Sequence, residues 1–106
     1  MLIASTFDIA DKKIVKTLGL VKGNTIRARH VGRDIMAGLR GIVGGELHEY
    51  TKLLAESREQ ALDRMIEDAQ KLGADAVVGV SFSTSVMTQG AAELMAFGTA
   101  VLIEDN

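Results

Sequence analysis

The stretch from Ala92 to Ile103 is apolar at both parities of an extended chain, and this limits the folds open to it. Met95, Phe97, Thr99, Val101 and Ile103 fall on one side of a strand, and Ala92, Leu94, Ala96, Gly98, Ala100 and Leu102 on the other, because successive strand side chains point to opposite faces. Neither set is polar, so both faces need cover. The second set is small and suits a helix pressed closely against it. In a two-layer fold one helix covers one face. The other face calls for a partner, and in a chain of 106 residues the simplest partner is another copy.

The preceding stretch, Ala76 to Met87, alternates strictly. Val78, Val80, Phe82, Thr84 and Val86 predict one dry face, while Gly79, Ser81, Ser83 and Ser85 predict the wet side of a sheet or the lumen of a ring. Thr88-Gln89-Gly90 reads as the hairpin between the two strands. Upstream, Leu72-Gly73-Ala74-Asp75 has the form of a helix end, with Gly73 where a left-handed residue closes the last turn. The helix it closes spans Glu46 to Leu72, with Leu47, Tyr50, Leu54, Ala61, Leu62, Met65, Ile66, Ala69 and Leu72 near one stripe and no proline to break it. Its outer face is acidic.

The N-terminal part is less regular. Leu2 to Thr6 is a candidate short strand, followed by a polar turn through Asp8 and Asp11. Ile14 to Val21 is apolar at both parities and predicts a strand covered on both sides; Gly23-Asn24 predicts a turn or bulge, and Thr25 to Arg29 resumes an extended, basic segment. From His30 to Gly45, Val31, Ile35, Met36, Leu39, Ile42 and Val43 lie at helical spacing. Gly38 and Gly41 inside that pattern cost about 1 kcal/mol each relative to Ala. Either another backbone approaches closely there or the segment is a loop.

Composition bounds the rest. Apolar residues make up 47% but aromatics only 4%, with no Trp, so the core is built from Val, Ile, Leu, Met and Ala. The length predicts a single domain over residues 1–106. No segment reaches the roughly 20 apolar residues of a membrane helix, and Met1 to Thr6 is too short for the apolar region of a signal peptide; the expected location is cytoplasmic. With no cysteine there is no thiolate nucleophile and no cysteine ligand for a soft metal. Charge divides sharply: eight basic against three acidic residues up to Gly45, four against eleven from Glu46 onward, giving +5 and −7 within a net −2. The basic half could face an anion or nucleic acid, or the two halves could face each other. The scatter of the basic residues, without interleaved aromatics for base stacking, argues for the second.

The run Gly32-Arg33-Asp34-Ile35-Met36-Ala37-Gly38-Leu39-Arg40, then Gly44-Gly45-Glu46 and Tyr50, then Leu72-Gly73-Ala74-Asp75-Ala76-Val77-Val78-Gly79-Val80, resembles the YbjQ-like proteins, a family described as heavy-metal-binding. The resemblance covers nearly the whole chain. It implies an α+β, two-layer β-α-β-β subunit of the dodecin-like kind, an antiparallel sheet with one long helix on one face. It also implies a ring-like homo-oligomer, a pentamer, and a divalent or soft metal ion as cofactor.

Candidate sites follow from residue chemistry. For a metal, His30, Glu46 and His48 are the first candidates, with Asp34, Glu49 and the five methionines behind them; Met36, Met65, Met87 and Met95 lie on apolar faces, where packing is their ordinary role. For an anion, Gly44 and Gly45 at the head of the long helix would present free backbone N–H groups beside Arg33 and Arg40. The same glycines could be a hinge that Arg33, Asp34 and Tyr50 hold together. No Ser-His-acid set, nucleophile elbow or carboxylate dyad points to catalysis.

Overall fold

The structure, a computed structural model, describes residues 1–27, 46–88 and 91–106, with side chains described over 1–25, 54–85 and 93–106. Strands β1 (Leu2–Ile3) and β2 (Lys12–Arg27) are followed by helix α1 (Glu46–Lys71) and by strands β3 (Ala76–Thr88) and β4 (Ala91–Asp105). The strands form one sheet in the order β1-β3-β4-β2. β4 is therefore central from Ala92 to Val101, between β2 and β3, where a strand apolar on both faces belongs.

The expected β-α-β-β subunit with an antiparallel sheet is corrected in one respect. β2–β4 and β3–β4 pair antiparallel, but β1 adds a short parallel edge to β3, with Leu2 opposite Ala76 and Ile3 opposite Val77. The order is thus β-β-α-β-β and the sheet is mixed. The added edge is held by Ala4 N–H on Val77 C=O at 2.9 Å and Val80 N–H on Ala4 C=O at 3.0 Å.

The helix lies on the small-residue side of β4. Ser57, Ala61, Met65 and Ala69, each four residues apart, are its buried row, the spacing of one helix ridge. Ala61, Met65 and Ala69 pack with Val21, Val77, Ala96 and Ala100, and Leu62 and Ile66 flank them. The sequence stripe is thus correct in its second half; Leu54 and Leu72 are exposed. The C-terminus closes as expected: Gly73 has φ 75°, its N–H donates to Gln70 C=O at 3.0 Å, and Ala74 N–H reaches back to Ala69 C=O at 3.2 Å. These are the two bonds of a Schellman cap.

Gly23 is not a turn. β2 runs through it in unbroken register with β4, Gly23 opposite Ala96 and Asn24 opposite Met95, and its irregularities fall instead near Val15 and Leu18. A Cβ at Gly23 would stand 2.2 Å from Ala61 O and 2.3 Å from Met65 N. The glycine is there because the helix backbone rests on the strand backbone.

The continuous dry face expected of β3 is also corrected. Its register with β4 shifts between Val78 and Ser81, and Gly79 has φ 63°, a bulge that glycine accommodates. Val77 and Val80 consequently face the helix cluster, whereas Val78 turns to the opposite face with Ala76 and Val101. Beyond the bulge Ser81, Ser83 and Ser85 share that opposite face with Phe97, Met95 and Glu93, their partners on β4.

Candidate functional site

Of the residues singled out for chemistry, His30, Arg33, Asp34, Arg40, Gly44 and Gly45 lie outside the described residues. Glu46, His48 and Tyr50 fall within the first turns of α1, which begins at Glu46 directly after the glycine pair, but their side chains lie outside the described set. Among the described residues no three His, Asp or Glu side chains converge as metal ligands. Met65 is fully buried against the sheet and acts in packing.

What the described residues build is a face and two edges. Among the described residues, the face opposite the helix is closed at one end only. There Ala76, Val78 and Val101 are buried, with Ile9, Ile14 and Ile103 packed over them. Toward the other end the same face carries Leu20, Lys22 and Asn24 on β2, Thr99, Phe97 and Met95 on β4, and Ser81 and Ser83 on β3. Leu20 is 70% exposed.

At the edge of β2 the helix supplies partners for outward-facing backbone groups. Lys22 N–H donates to Asp68 Oδ2 at 3.1 Å, and Arg64 Nη1 donates to Asn24 C=O. Asn24 Nδ2 then donates to Glu93 Oε2 at 2.8 Å, tying β2 to β4. Acidic and basic side chains of α1 thus cap backbone groups of a strand that has lysine or arginine at five positions and no acid. Thr25, also buried, donates to Leu94 C=O at 3.5 Å. At the far end of β2 the Lys12–Asp105 ion pair clips the strand to β4. Lys12, through its hydrogen bond first and its charge second, holds the Asp105 carboxyl below the usual carboxylate range.

Sequence reasoning did not find the edge-capping pair Arg64 and Asp68. The signal for it was Gly23: a helix close enough to exclude a Cβ brings its neighbouring side chains within reach of the strand edge.

Comparison with known proteins points one way. A family model described as "Putative heavy-metal-binding" and named for YbjQ matches residues 1–104. A UPF0145 protein of Methanosarcina acetivorans is 61% identical over 97% of both chains. One from Dehalococcoides mccartyi is 57% identical over 98% of this chain and all of its own, and one from Archaeoglobus fulgidus is 55% identical over 95% of this chain and 94% of its own. Among solved structures, a protein of unknown function from Pediococcus pentosaceus, assigned to the DUF74 family, superposes with a TM-score of 0.65 at 16% identity over 98% of each chain. That likeness is one of fold.

Proposed function

We propose that this chain, which belongs to the YbjQ-like family of UPF0145 proteins, is the subunit of a cytoplasmic homo-oligomer that binds a metal ion and catalyses no reaction. The observation that carries the assembly is the half-covered sheet. Leu20, Met95 and Phe97 lie on a face that the helix does not reach, on the central and edge strands of the only described sheet.

The metal part rests on the family's description. Its candidate ligands are His30, Glu46 and His48, the last two in the first turn of α1. Two His and one carboxylate per subunit fall one short of a closed four-ligand site, which ligands shared between copies would complete, so metal binding and assembly are linked in this reading. Calorimetric titration of tag-free protein with divalent and soft metals tests it. Saturable heat that is lost in His30→Ala and His48→Ala supports the reading; no heat above buffer for any metal removes it.

A second reading is an anionic small ligand held by Gly44, Gly45, Arg33 and Arg40, favoured by the start of α1 immediately after the glycine pair. A thermal-shift panel of phosphates and nucleotides separates the two. An unmoved midpoint with every compound counts against it.

A further inference from the structure

We draw no further inference here: the strongest candidate, the face of the sheet away from the helix where Leu20, Met95 and Phe97 lie, carries none, because nothing in the structure shows what covers it.

Discussion

The two ends of the sheet are made of the same strands and finished in different ways. At the end where β1 pairs with β3, the face away from the helix is closed by Ile9, Ile14 and Ile103 over Ala76, Val78 and Val101, and the outer edge of β3 is bonded to residues 4 and 6. At the other end β3 and β4 continue with the same alternation, but the face carries Leu20, Phe97 and Met95 and the edge has no described neighbour. One end is complete within a single chain. The change occurs at Gly79, whose φ of 63° switches the register and whose missing Cβ leaves room for Phe7, within 2.8 Å of where that Cβ would be. Burial is thus supplied locally up to the bulge, and beyond it no described residue covers the face, which the proposed assembly assigns to a second copy.

Substitutions can break this comparison. The largest effect is expected where the subunit is self-sufficient: Gly23→Ala places a methyl group against the α1 backbone, which cannot yield as a side chain would. A loss of about 3 kcal/mol is expected, read as a fall of about 12 °C or more in the thermal midpoint. A change below 1 °C would mean that the helix does not rest on β2. Next is Leu20→Ser at the open end. At 70% exposure a solitary subunit would lose no more than about 0.5 kcal/mol, whereas a Leu20 covered by a neighbour costs about 2 kcal/mol when removed. Urea unfolding distinguishes them, and the account expects the larger value, together with weaker assembly.

Smaller effects sharpen the picture. Gly73→Ala strains the left-handed helix cap and is expected to cost about 1 kcal/mol, with assembly unchanged because the cap lies outside the open face. The smallest concerns Asp105. Its carboxyl pKa is lowered in the fold by Lys12, so its contribution is present above the unfolded carboxylate pKa of about 4 and is lost as pH falls through the lowered value. Asp105→Asn should flatten the acid limb of a stability–pH curve slightly and leave neutral pH almost unaffected, since the pair is exposed. An unchanged acid limb would show that the ion pair contributes nothing.

Much of this was legible in residues. The two-sided β4 predicted both the helix and the uncovered face, because side-chain parity in a strand is geometric and the small set, Ala96 and Ala100, marks where a helix fits. Gly73 predicted its own cap. Gly23 misled: a glycine that admits a neighbouring helix and one that makes a turn are the same residue until the neighbour is known. The bulge at Gly79 was hidden for a related reason, since inserting one residue flips every later side chain without altering the alternation. β1 is two residues long and has no period to read. The proposed ligands, from His30 to Tyr50, depend on residues whose arrangement alternation and spacing do not fix.

The claim that an incomplete sheet is completed by another copy is tested most directly by sedimentation equilibrium of the untagged protein at micromolar concentration. The account predicts a single species at a whole multiple of 11.3 kDa, five subunits if the ring implied by the sequence resemblance is what forms. A well-folded species at 11.3 kDa, with Leu20 and Phe97 left in water, would contradict it.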